Sequence, residues 1–136
     1  MSMPSWSSSL ELGVPNMDAA HRALFDTLAH VARLAPGDFA HHCRALFDAL
    51  ELDCKEEEAL MEEIHFPGLQ AHREQHARVL GGLHHALAAL DAGDPAPARR
   101  ALELLPRWLE LHIATMDSAL AMAVALAQPA QVELGA

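Results

Sequence analysis

The sequence predicts an all-α fold, an antiparallel up-down-up-down four-helix bundle with an extended N-terminal arm. Three observations carry that expectation. Apolar residues recur at steps of three and four along four long stretches, and no stretch alternates as a half-buried strand would. Glycine and proline divide these stretches at Pro36-Gly37, at His65-Phe66-Pro67-Gly68 and at Ala92-Gly93-Asp94-Pro95. Such short connections join antiparallel neighbours. Hydrophobic residues make up 51% of 136 positions, enough for one core in a single domain spanning residues 1–136.

The elements follow in order. Residues 1–16 form an arm without helical period, containing Trp6, Gly13 and Pro15. A first helix is expected over 17–35, with Leu24, Leu28 and Val31 inward and Asn16 or Asp18 as its cap. Asp38 is a natural cap for a second helix over 39–64. A third helix follows over 69–91, where Gly81-Gly82 weakens the helix with no breaker beside it. A fourth is expected over 96–128, with Pro106 as a kink. The bundle thus occupies 17–128, and 129–136 is a tail.

The formal net charge of −10 argues against a nucleic-acid surface and against an acidic membrane surface. Met1 to Ser9 has neither a basic start nor an apolar run, so no secretory leader is expected. No stretch approaches ~18 apolar residues without a charge, so no membrane span is expected either. Cys43 and Cys54 lie on one expected helix, and the eleven residues between their positions rise about 16 Å. A disulfide needs Cα atoms within roughly 7 Å. Both read as small buried residues in a reducing compartment, which makes a cytoplasmic location the expectation.

The chemistry lies in polar residues that occupy core positions. The second helix carries the stripe Phe39, Cys43, Leu46, Leu50, Asp53, Glu57, Leu60, Ile64; the third carries Leu69, His72, His76, Val79, Leu83. The fourth carries Leu102, Leu105, Leu109, His112, Met116, Leu120, with Asp117 beside it. Steps of three and four hold each set on one face. An unpaired charge at a core position costs several kcal/mol, so these groups must meet each other or a metal. His72 and His76 lie one turn apart, where both imidazoles reach a metal about 2 Å away. Asp53 and Glu57 repeat the spacing with carboxylates, and His21 lies inward on the first helix. Asp117 is five residues from His112, about 140° around an α-helix, and must reach sideways. In an up-down bundle the start of the first helix is level with the end of the second, the start of the third and the end of the fourth. All seven groups, His21, Asp53, Glu57, His72, His76, His112 and Asp117, then fall in one layer, and imidazole–carboxylate sets of this size hold metal.

The residues also carry a resemblance. Trp6 ahead of Leu12-Gly13-Val14, then Asp18-Ala19-Ala20-His21, Glu57-Glu58-Ala59-Leu60-Met61, Pro67, His72-x-x-x-His76, and Trp108 ahead of His112-Ile113-x-x-x-Asp117, together resemble the bacterial hemerythrins along nearly the whole chain. The resemblance implies a four-helix bundle around an oxo- or hydroxo-bridged pair of iron ions that binds dioxygen. By position it implies that His72, His76 and His112 hold one iron, that His21 holds the other, and that Glu57 and Asp117 bridge them. One position departs. The family carries histidine four residues before the bridging glutamate, and this chain carries Asp53.

Asp53 can ligate iron through oxygen, and its added negative charge favours the diferric state, so easier autoxidation is expected. The leading reading is an oxygen-binding protein acting as store, carrier or sensor. An oxidase, peroxidase or nitric-oxide-handling enzyme is the alternative, and an iron-stapled structural module is a third. Small Ala114 near His112 is expected to leave room for a second reactant. His30, His41-His42 and His84-His85 read as exposed polar faces. Trp108 and Cys54 read as packing beside the site. Glu62-x-x-His65 is a lone carboxylate–histidine motif, where a ferritin-like site needs two.

Overall fold

The structure, a computed structural model, describes residues 5–127. Helix α1 spans Pro15–Ala32, α2 Pro36–Glu63, α3 Leu69–Asp91 and α4 Ala96–His112. A π turn, Ile113–Asp117, joins α4 to α5, Ser118–Ala127, so that the last three elements run on as one continuous rod. Among the described residues there is no strand. The helices α1 and α2, α2 and α3, α3 and α4, and α4 and α1 pack as neighbours, which closes the ring of a four-helix bundle. The expected tail, 129–136, and the last residue of the expected fourth helix, Gln128, lie outside the described residues.

Helix boundaries differ from expectation for a local reason. α1 and α2 begin at Pro15 and Pro36, two and three residues earlier than their apolar stripes suggest. Proline suits the first helical position, because its fixed φ is helical and its missing N–H has no intrahelical partner there. The residue before proline is pushed out of the α region, so α1 stops at Ala32, ahead of Ala35-Pro36. None of the expected caps forms, and Val14 and Ala35 hold the cap positions without side-chain hydrogen bonds. Asp18 instead accepts the backbone N–H of Leu12 at 2.8 Å and of Gly13 at 3.1 Å. That ties the arm to α1, and Arg22 lies 4.1 Å over the Trp6 ring to reinforce it.

Just past the end of α2, His65 turns the chain with a φ of 54°, and Phe66 N–H closes onto Met61 C=O at 2.9 Å. Glycine commonly holds this position, and histidine takes it here at some strain. Three residues on, a Cβ at Gly68 would lie 2.7 Å from the Phe66 ring, so a larger residue there would have to push that ring aside. Gly81 and Gly82 meet no such need. A Cβ at either would touch nothing within 4 Å, yet each costs the helix about 1 kcal/mol relative to alanine.

Two apolar layers bracket the middle of the bundle. The larger includes Leu24, Phe25, Leu28, Phe39, Leu46, Phe47, Leu83, Leu87, Leu102 and Leu105. The smaller is Met17, Met61, Leu120 and Val124, side chains worth ~1.5–3 kcal/mol each when fully buried. Between them lie the buried polar residues His21, His72, His76, His112 and Asp117. The rod Ala96–Ala127 is long and apolar enough, by length and composition alone, to cross a membrane. Its inward face carries two of those buried polar groups and packs on the other helices, as a bundle's core helix does.

Candidate metal centre

All four walls of the bundle contribute polar groups to the layer. His21 comes from the second turn of α1, Glu57 from the last third of α2, His72 and His76 from the first turns of α3, and His112 from the end of α4. Asp117 comes from the π turn. On a plain α-helix it would point well away from His112. A π turn closes with an i→i+5 bond, so a residue five positions on returns to nearly the same face. The expected sideways reach is thus replaced by a local change of helical pitch. The same turn leaves Ala114 exposed, so it makes no room beside His112 as expected.

The ligand-type atoms form two groups that share Glu57. One is Glu57, His72, His76 and His112; the other is His21, Glu57 and Asp117; within each, the atoms lie within 4.8 Å of one another. Glu57 Oε1 lies 3.2 Å from His72 Nε2 and 3.3 Å from His76 Nε2, while its Oε2 lies 3.4 Å from His21 Nε2. Asp117 divides the same way. Its Oδ1 is 3.0 Å from His72 Nε2 and 3.2 Å from His112 Nε2, and its Oδ2 is 3.0 Å from His21 Nε2. His72 Nε2 and His112 Nε2 are 3.1 Å apart. Each carboxylate therefore offers one oxygen to the three-histidine side and the other to His21.

These spacings suit ligation better than hydrogen bonding. Glu57 Oε1, Asp117 Oδ1 and Asp117 Oδ2 are buried and have no hydrogen-bond partner, despite nitrogens close by. Two donors each ~2.1 Å from one ion and at right angles are about 3.0 Å apart. A buried carboxylate left without partners is costly, and a cation removes that cost. The donor set fits iron.

Without an ion, protons do the same work less well. Burial works against the charged form of His21 and His72, but Asp117 and Glu57 outweigh it and raise both to about 9. Burial likewise disfavours the Glu57 carboxylate, yet His21, His72 and His76 hold it at about 2. Asp117 is held far below the usual carboxylate range by His112, His21 and His72, against its burial.

The outer nitrogens are fixed by residues that the sequence alone does not single out. His76 Nδ1 lies 2.9 Å from Glu58 Oε2, and Glu58 Oε1 in turn accepts from Arg73 Nε at 3.2 Å. His112 Nδ1 lies 3.0 Å from Gln75 Oε1. Such partners fix the tautomer and leave Nε2 bare for a metal. Their signal was present as spacing: Glu58 adjoins Glu57, and Gln75 adjoins His76. Nδ1 of His21 and of His72 is buried without a partner, so no hydrogen bond fixes those rings from the outer side. Trp108 stacks on His112 with ring centroids 4.5 Å apart and planes at 12°, which agrees with a packing role.

Asp53 stands outside both groups. It is half-buried, because the inward position on that turn of α2 belongs to Cys54. It lines a pocket of about 250 Å³ between α1 and α2 with Asn16, Glu56 and Glu57, and it also borders the cavity of about 20 Å³ at the centre. Burial, with Glu56 and Glu57 adding to it, raises its carboxyl to about 6. Burial and the carboxylates around Cys54 push that thiol well above its usual range, so it stays a neutral packing group. Both cysteines are free and buried. His30, His41, His42, His84 and His85 are exposed as expected, and Glu62 pairs with Arg73 at 2.6 Å instead of joining any second motif.

Residues 12–124 match the Hemerythrin HHE cation binding domain. A bacteriohemerythrin of Ralstonia nicotianae is 35% identical over 117 residues, covering 86% of this chain and 85% of that protein. The chain belongs to the hemerythrin family. Myohemerythrin-1 of Phascolopsis gouldii is 27% identical over 112 residues, covering 82% and 87%. Hemerythrins are di-iron, oxygen-binding proteins, and membership implies iron at the cluster described above. The hemerythrin match spans the arm from Leu12 and every helix, so the whole bundle is family architecture.

Proposed function

We propose that this hemerythrin holds two iron ions and takes up dioxygen there as a store, carrier or sensor. The observation that carries this reading is the division of Glu57 and Asp117, each with one oxygen toward His72, His76 and His112 and the other toward His21. Two carboxylates shared in this way match two cations, where a single ion would leave one side's donors unused. In this reading His72, His76 and His112 would hold one ion and His21 the other, with Glu57 and Asp117 serving both. When bound, ferrous ions supply the electrons that reversible oxygen binding needs.

The residues around the ions then set access and charge. His72, His76, His112, His21 and Asp117 are at most 4% exposed in their side chains, whereas Glu57 is 14% exposed. Solvent thus comes closest to the ions on the α1–α2 side, past Asp53. A histidine at position 53 would bring a neutral donor, but the carboxylate brings negative charge and stands back from the group. Negative charge beside the ions stabilises the more oxidised pair, which supports an autoxidation-prone centre. The open pocket at Asp53 also favours the second reading, an oxidase, peroxidase or nitric-oxide-handling enzyme, because a small reactant has a way in. The free, buried cysteines support a cytoplasmic location.

Absorption spectroscopy separates the two. Iron-loaded, reduced protein should gain a visible band on exposure to oxygen and lose it under vacuum. Irreversible conversion, joined to steady consumption of peroxide or nitric oxide, would establish the enzyme reading instead.

A further inference from the structure

Gly82 has no turn or close contact to serve, and it lines a groove on the outer side of α3. A cavity of about 380 Å³ lies between α3 and α4, with Val79, Gly82 and Ala86 on one wall and Leu104 and Trp108 on the other. A side chain at position 82 would enter it, while Cβ itself meets nothing. The helix therefore gives up a good helix former to keep this space open. Leu104 is 51% exposed, so the apolar wall faces solvent. The volume is that of a small-molecule site.

The charges at the groove define the ligand. The chain has a net charge of −10, yet no carboxylate lines this cavity, and Arg78, His85 and Arg100 do. Because α3 and α4 are antiparallel, Arg78 is level with Trp108 and Arg100 with the far end. Arg100 is paired with Glu103 at 2.9 Å. Arg78 is exposed and forms no ion pair among the described residues. It is the free cation at the mouth.

We propose that the α3–α4 groove binds a small amphipathic carboxylate, its acid group on Arg78 and its hydrocarbon body running past Gly82 between the helices. Trp108 forms the wall at the acid end, and its indole is stacked on His112. Occupancy is thus felt one ring away from the metal centre. That coupling rests on His112 being a ligand; the binding itself does not.

Calorimetric titration of the full chain with decanoate, below its micelle concentration, tests the binding with and without iron. One saturable site is expected in both forms. Arg78→Ala should weaken it roughly tenfold, the loss of one charge-assisted contact, and decanol should bind wild type about as weakly as decanoate binds that variant. Gly82→Leu should abolish binding while leaving the iron content and the melting temperature no lower, which separates this proposal from the metal reading. Absence of a saturable site, or decanoate binding unchanged in both variants, overturns it. So does a concentration-dependent dimer that Gly82→Leu dissolves, since the groove would then seat a second copy.

Discussion

Glu58 is the sharpest test of how the protein, as distinct from the ligands, holds the metal. Its Oε2 lies 2.9 Å from His76 Nδ1, and its other oxygen is fixed by Arg73 at 3.2 Å. The carboxylate keeps the His76 proton on Nδ1 and makes Nε2 the better donor. Removing a partner of this kind costs roughly 10–100-fold in metal affinity. The Glu58 side chain is 22% exposed, so water replaces part of the lost hydrogen bond. Glu58→Ala should therefore sit at the low end, roughly tenfold, which is about 1.4 kcal/mol. Glu58→Gln, which keeps a neutral acceptor, should fall in between. The assay is competition for ferrous ion between the metal-free protein and a chromophoric chelator under anaerobic conditions. Glu62→Ala is the control, because Glu62 touches Arg73 at 2.6 Å but no histidine. Equal losses in the Glu58 and Glu62 variants, or an affinity unchanged in Glu58→Ala, would refute the reasoning.

Three further outcomes are expected. Asp53→His should slow autoxidation several-fold by removing a negative charge beside the ions, and an unchanged rate, followed by the decay of the oxygen-dependent band, would clear Asp53 of that role. In the metal-free protein, His21 and His72 are raised from 6.5 to about 9, so their contribution to stability is complete below pH 6.5 and lost as pH rises through about 9. Glu57 is lowered from 4.5 to about 2, so its contribution is complete above pH 4.5 and lost as pH falls through about 2. The melting temperature of that form should peak between about pH 4.5 and 6.5, and iron loading should remove the alkaline decline, as thermal melts across pH would reveal. Met61→Ala, at a fully buried position in the small apolar layer, should cost ~2–5 kcal/mol, measured by denaturant unfolding.

The sequence makes the bundle legible because a histidine or carboxylate inside an apolar stripe is conspicuous. The periodicity places four helices and levels their ends, and that alone assembles His21, Glu57, His72, His76 and His112. Asp117 is legible as a group but not as a position, since nothing in Ile113 to Asp117 announces a π turn except the five-residue spacing itself. Asp53 reads as inward from its distance to Glu57, yet Cys54 takes the inward position, and a one-residue rotation of the stripe decides this. Glu58 and Gln75 are hidden for the opposite reason. Each is one polar residue among many on a partly solvated face, and only the folded neighbour, His76 or His112, gives it meaning. Proline at the first helical position, and not the apolar stripe, sets the starts of α1 and α2.

In the proposed centre two cations share Glu57 and Asp117. Anaerobic titration of the metal-free protein with ferrous ion, followed by metal analysis after desalting, addresses it directly. Saturation at two equivalents per chain, falling to one in His21→Ala with the three-histidine side still filled, is the expected result. Saturation at one equivalent in the wild type, or a His21→Ala variant that still takes two, would contradict it.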